Sequence, residues 1–129
     1  MYKYVATYED YNGTKRTEEF YFNLSKAELL EMEMVHPEGF EGWINRIVQA
    51  DDRETILETF RNIILKSYGE KDETGRRFVK SKELSESFMQ TEAYSDLYIK
   101  LVSDADFAAE FVNGLVPKVE AADKPVLAS

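Results

Sequence analysis

An α+β fold, mainly α, with an N-terminal β-hairpin followed by a compact bundle of about five to six helices, is predicted by three features of the chain. Asn12-Gly13 separates two strand-like runs. Apolar residues then recur at helical spacing in successive stretches, and capping residues stand ahead of most of them. The 129 residues suffice for one core, since a domain of this size buries roughly two-thirds of its unfolded surface without metal or disulfide. The expected organisation is a single globular domain over 1–117, with the hairpin in 1–23 and helices in 24–117, then a flexible C-terminal tail over 118–129.

The hairpin is read over residues 3–8 and 15–23, because Asn-Gly readily takes the two positive φ values of a type I′ turn. Centring that turn on Asn12 and Gly13 predicts Asp10 opposite Lys15, Glu9 opposite Arg16 and Val5 opposite Phe20. A lone hairpin is marginal, so it must pack on a helix or pair with further strands, including those of another molecule. Tyr2, Tyr4, Tyr8 and Tyr21 suit either purpose, and packing on a helix is the preferred reading.

Ser25 and Glu28 have capping-box spacing and Leu24 and Leu29 staple spacing, which starts a helix that ends near His36-Pro37. Phe40, Trp43, Ile44, Ile47 and Val48 form the buried stripe of a second helix. Asp51 and Glu54 are read as the cap of a third, whose stripe is Ile56, Leu57, Phe60, Ile63 and Ile64. Residues 69–77 are polar with glycine at both ends and predict an exposed loop, followed by an extended piece at 78–80. Ser81 opens a helix through Leu84 and Phe88, and Thr91 caps another with Tyr94, Leu97, Tyr98, Leu101 and Val102 on its stripe. Ser103 and Asp106 resemble a last cap, before Phe107, Phe111, Val112 and Leu115 and a stop at 114–117.

Charge and composition exclude several functions. The net charge of −9, from 25 acidic and 16 basic residues, repels phosphate backbones and anionic lipid, so neither nucleic acid nor membrane is an expected partner. Mimicry of DNA would want an uninterrupted acidic stripe, whereas acids and bases alternate over 9–16 and 70–82. The N-terminus has no charged-then-apolar signal pattern, and no apolar run approaches the roughly 20 residues of a membrane span. Without cysteine there is no disulfide, thiolate nucleophile or cysteine metal site.

No catalytic constellation is visible, and the chain is read as a non-enzyme without cofactor. His36 stands alone before Pro37, Asp72 to Gly75 lack calcium-loop spacing, and Gly69 and Gly75 lack the Lys-hydroxyl pair of a phosphate loop. Met32 and Met34 beside Leu29 and Leu30 could offer an adaptable binding surface, with core filling the preferred alternative.

Two stretches are more specific than composition: Phe22-Asn23-Leu24-Ser25-Lys26-Ala27-Glu28-Leu29-Leu30-Glu31-Met32-Glu33, and a run from Leu65-Lys66-Ser67-Tyr68-Gly69-Glu70-Lys71 through Gly75-Arg76-Arg77-Phe78-Val79-Lys80-Ser81 to Phe88-Met89-Gln90-Thr91-Glu92-Ala93-Tyr94. With Asp104-Ala105-Asp106-Phe107-Ala108-Ala109-Glu110-Phe111-Val112-Asn113-Gly114-Leu115-Val116-Pro117, they resemble the tail assembly chaperones of long-tailed phages, over roughly residues 20 to 117. The resemblance implies reversible burial of apolar surface on the tape-measure protein, recruitment of tail-tube protein, residence in the bacterial host cytoplasm and no catalytic residues. A homo-oligomer is a further candidate, and some phages make a longer, frameshifted form. Tyr4, Tyr21, Phe22, Met32 and Met34 are the candidate partner contacts. The alternative reading is a stoichiometric virion structural component, a head-tail joining or tail-completion subunit.

Overall fold

The computed structural model describes residues 1–117, with the backbone alone for Glu33, Met34 and Val35; the tail expected over 118–129 lies outside the described residues. In chain order the elements are β1 (Tyr2–Glu9), β2 (Lys15–Phe22), α1 (Lys26–Val35), α2 (Gly39–Ala50), α3 (Arg53–Ser67), β3 (Tyr68–Lys71), β4 (Phe78–Val79), α4 (Lys82–Met89), α5 (Glu92–Ser103) and α6 (Ala105–Leu115). The architecture is α+β, mainly α, as the sequence predicts.

The hairpin forms with a different turn. Gly13 has φ +79°, and among the described non-glycine residues only Asp51 has positive φ, so Asn12 does not take the second positive angle of a type I′ turn. Instead the Asp10 carboxylate accepts from the amides of Asn12 and Thr14, both at 2.9 Å, and Gly13 N–H donates to the Asp10 carbonyl at 3.0 Å. This three-residue loop moves the register by one: Glu9 faces Lys15, Tyr8 faces Arg16, and Tyr4 rather than Val5 faces Phe20. Arg16 reaches Asp10 instead, at 2.5 Å. Asp10 and Gly13 have a counterpart in Asp72 and Gly75, where Gly75 N–H donates to the Asp72 carbonyl and φ is +72°.

That second turn closes a hairpin the sequence reading did not contain. Residues 69–77, expected as a loop within the helical segment, begin with β3, which pairs with β2 through Tyr21–Gly69 and Phe22–Tyr68 and with β4 through Glu70–Val79 and Lys71–Phe78. The sheet order is β1-β2-β3-β4, all neighbours antiparallel. Gly69 permits the approach: a Cβ there would lie 2.6 Å from the Val79 carbonyl oxygen and from Phe78 Cε2.

Alternation gives β1 an inner face of Tyr2, Tyr4, Ala6 and Tyr8 and β2 one of Glu18, Phe20 and Phe22. Phe22 is fully buried, with ring centroids 5.4 to 5.6 Å from those of Tyr68, Phe88 and Phe111, and Tyr68 stacks on Phe88 at 4.5 Å. Leu24, Ile64, Leu97 and Leu115 join this core. The crossing into α1 is pinned by Asn23 N–H on the Ser67 carbonyl and Leu24 N–H on the Leu115 carbonyl. Buried Ser67 returns its hydroxyl to the Ile63 carbonyl at 2.7 Å, so its polar group is satisfied.

Ser25, Ser81 and Thr91 cap α1, α4 and α5 as expected, and Glu28 completes the capping box. Two caps sit one residue from their expected places. Asp51 closes α2 in left-handed geometry (φ 54°), leaving Asp52 to begin α3, and Asp104 rather than Ser103 accepts from Phe107 N–H, because α5 continues through Ser103. Each shift arises at a helix junction so short that one residue must finish the preceding helix.

Candidate functional site

Between α2, the start of α3 and the junction of α5 with α6 lies an open groove of about 530 Å³. Ile44 and Val48 line it from α2 and Ile56 and Phe60 from α3, each pair spaced i, i+4 on one face. The opposite side carries Leu101, Val102 and Val112. Ala105, Ala108 and Ala109 stand at i, i+3 and i+4 along α6, where larger side chains would fill the space. Val48 and Val102, both expected in buried stripes, are 44% and 36% exposed at this groove. The charged lining residues are Glu41 and Asp51, both acidic, with Asn45, Ser103 and Asn113 supplying neutral hydrogen-bonding groups. Such a surface fits an apolar segment that carries positive charge.

The five sequence-derived contact candidates do not converge there. Tyr4 is half-buried under the sheet, its ring 6.0 Å from Phe107, and burial, then the charge of Asp96, raises its pKa. Tyr21 lies on the outer face, donates to Glu19 at 2.8 Å and has the Lys71 ammonium 4.5 Å from its ring centroid. Phe22 has no exposed surface and sits as a core residue rather than a surface anchor, on the inner face of β2 with Phe20 and opposite Tyr68 of β3. Met32 packs against the core from α1, and the Met34 side chain lies outside the described residues. Sequence reasoning missed the groove; its legible trace is the alanine face of α6, small where the other stripes are large.

Three polar groups with displaced pKa values are engaged by neighbouring side chains and amides. The hydrogen bond to Glu18 pushes the Tyr8 phenol up to about 12. Asp72 is lowered to about 2, first by Arg77 and Thr74, whose side chains bond its carboxylate at 2.9 and 2.8 Å across its own turn. Burial raises Glu28, but Lys80 at 2.7 Å and the Ser25 amide outweigh it and leave its pKa lowered. His36 stacks on Trp43 with centroids 4.2 Å apart. Among the described residues there is no cluster of histidine and carboxylate side chains able to hold a metal ion, and no helix is long and apolar enough to cross a membrane.

Comparison with protein families matches residues 1–124 to the family described as phage tail assembly chaperone. The chain belongs to the phage tail assembly chaperone family. A role in phage tail assembly follows from that membership. The match includes both hairpins and all six helices that the structure describes, so the sheet and the groove walls are parts of the family's matched region. A shorter similarity, 42% identity over 53 residues, links the chaperone family member to a putative type I specificity subunit of Mycoplasma genitalium; it spans 41% of this chain and 14% of that protein. No solved structure matches the chain.

Proposed function

We propose that the chain is a non-enzymatic chaperone that holds tape-measure protein, and tail-tube protein with it, during tail assembly in the host cytoplasm. The observation that carries this reading is the groove, whose apolar lining with Glu41 and Asp51 as its charged members suits an amphipathic, basic client segment in a member of a tail assembly family. Reversible burial of Val48 and Val102 under the client would supply affinity, while the net charge of −9 keeps the complex dispersed. The engagement of Tyr8, Glu28 and Asp72 in local hydrogen bonds supports a role without catalysis.

Co-expression of the tagged chain with the tape-measure and tail-tube proteins of the same genome, followed by pulldown and size-exclusion chromatography, tests the proposal. A soluble complex is expected, weakened at least tenfold by Val48→Asp or Ala109→Trp at unchanged helical content. The rival, a stoichiometric virion subunit, draws on the edge of β1 as a site for adding strands. Absence of a client complex, with the chain present in mature particles, would replace the chaperone reading by that one.

A further inference from the structure

We propose that β1 pairs antiparallel with β1 of a second copy of this chain, about a two-fold axis at Ala6, joining the two four-stranded sheets into one. The inference goes beyond the client reading and does not depend on it.

The sheet order leaves β1 at an edge. Backbone parity shows which groups face outward. Asp10 N–H donates to the Thr14 carbonyl and Asn23 N–H to the Ser67 carbonyl, so even-numbered residues of β1 bond to β2 while odd-numbered residues of β2 bond toward β3. Lys3, Val5, Thr7 and Glu9 therefore direct their N–H and C=O groups away from β2, and among the described residues no backbone partner meets them. Proteins that leave an edge unpaired shorten it, bulge it, place proline or charged side chains on it, or cover it with a helix or loop. This strand has eight residues in unbroken register, no proline or glycine, and one charge of each sign near its ends.

Pairing through the free edge requires odd residues opposite odd residues. The register centred on Ala6 sets Lys3 opposite Glu9 of the second copy twice over, Val5 opposite Thr7, and Tyr4 opposite Tyr8. Shifting by two residues either way separates the charges, placing Lys3 opposite Thr7 or Tyr11. The complementary register offers about eight new backbone hydrogen bonds across the axis. Both inner faces stay on one side, so Tyr4 and Tyr8 of the two copies continue a single aromatic layer. Within one copy Lys3 has only a 3.8 Å contact with Glu19, both more than half exposed, which leaves it available.

The test is sedimentation velocity and light scattering on the full chain over a concentration series, with amide hydrogen exchange. A dimer is expected, with Lys3, Val5, Thr7 and Glu9 amides protected at high concentration and exchanging at low. Val5→Pro removes an outward N–H and no β1–β2 bond, and should yield a monomer of unchanged helicity. Lys3→Glu and Glu9→Lys should each raise the dissociation constant roughly tenfold or more by opposing like charges, and the double variant should restore it. A wild-type monomer at every concentration overturns the proposal, as does an oligomer indifferent to all these variants. A dimer lost in Val5→Pro but indifferent to both charge variants overturns the Ala6-centred register. If Val5→Pro fails to fold, the charge variants decide alone.

Discussion

Replacing Gly114 by alanine should destabilise the protein, although alanine is the better helix former. Gly114 lies in the last turn of α6, where glycine costs about 0.5–1 kcal/mol relative to alanine. Its missing side chain is the space used by Tyr2: an added Cβ would stand 2.6 Å from Tyr2 Cδ2, 3.1 Å from its Cβ and 3.2 Å from its Cγ. Tyr2 cannot simply swing aside, because its ring meets Phe111 edge-on at 5.1 Å and Phe107 at 6.4 Å. Overpacking of this kind costs about 1–3 kcal/mol, so the net loss in the wild-type background should be about 1 kcal/mol. That corresponds to a fall in Tm of roughly 3–5 °C for a chain of this length. In a Tyr2→Ala background the 2.6 Å approach to the ring is gone and only the Cβ at 3.1 Å remains, so the same substitution should become nearly neutral. The coupling between the two sites, about 1 kcal/mol, is the clash with the ring. Urea unfolding of the four proteins, followed by circular dichroism and by the fluorescence of the sole tryptophan, Trp43, measures it. An equal effect of Gly114→Ala in both backgrounds, or stabilisation in the wild type, would refute the close approach of α6 to β1.

Three further outcomes are expected. Phe22→Ala should cost about 3–5 kcal/mol and lose near-ultraviolet aromatic signal, because the side chain has no exposed surface; near-wild-type stability with weaker client capture would return Phe22 to the surface role. Gly69→Ala should open the β3–β4 hairpin, since the Val79 carbonyl cannot yield like a side chain, and should cost about 1–3 kcal/mol with faster exchange at Glu70 and Val79; unchanged exchange there would contradict the pairing. Glu28, whose folded pKa lies below its ordinary 4.5, contributes stability above that value which disappears as pH falls through the lowered one. Glu28→Gln should therefore flatten the stability–pH curve in this acidic window, and a profile parallel to wild type would remove the Lys80 pairing from the account.

Much of the helical architecture was legible because its signals are local. Capping at Ser25, Ser81 and Thr91 depends on a side chain and an amide three residues away, and the stripe of Phe107, Phe111, Val112 and Leu115 on the helical repeat alone. The hairpin was legible in its position but not in its register. Asn-Gly fits two turn geometries that differ by one loop residue, and the Asp10 carboxylate, bonded to Asn12 and Thr14, selects the longer loop. That one residue decides which side chains of β1 join Phe20 and Phe22 on the inner face: Tyr2, Tyr4 and Ala6 in place of Lys3, Val5 and Thr7.

The sequence by itself determined the α+β composition, most of the helices and their caps, the acidic surface, and, through specific local runs, the family to which the chain belongs. These rest on short-range bonding or on sums over residues. Tertiary structure decided the fourfold sheet, the close approaches at Gly69 and Gly114, and the groove edged by Val48 and Val102. Each of these requires segments far apart in the chain to meet. β3 is too short to announce itself and exists because Tyr21 and Phe22 offer it a partner, and the groove opens where the alanines of α6 stand across from α2.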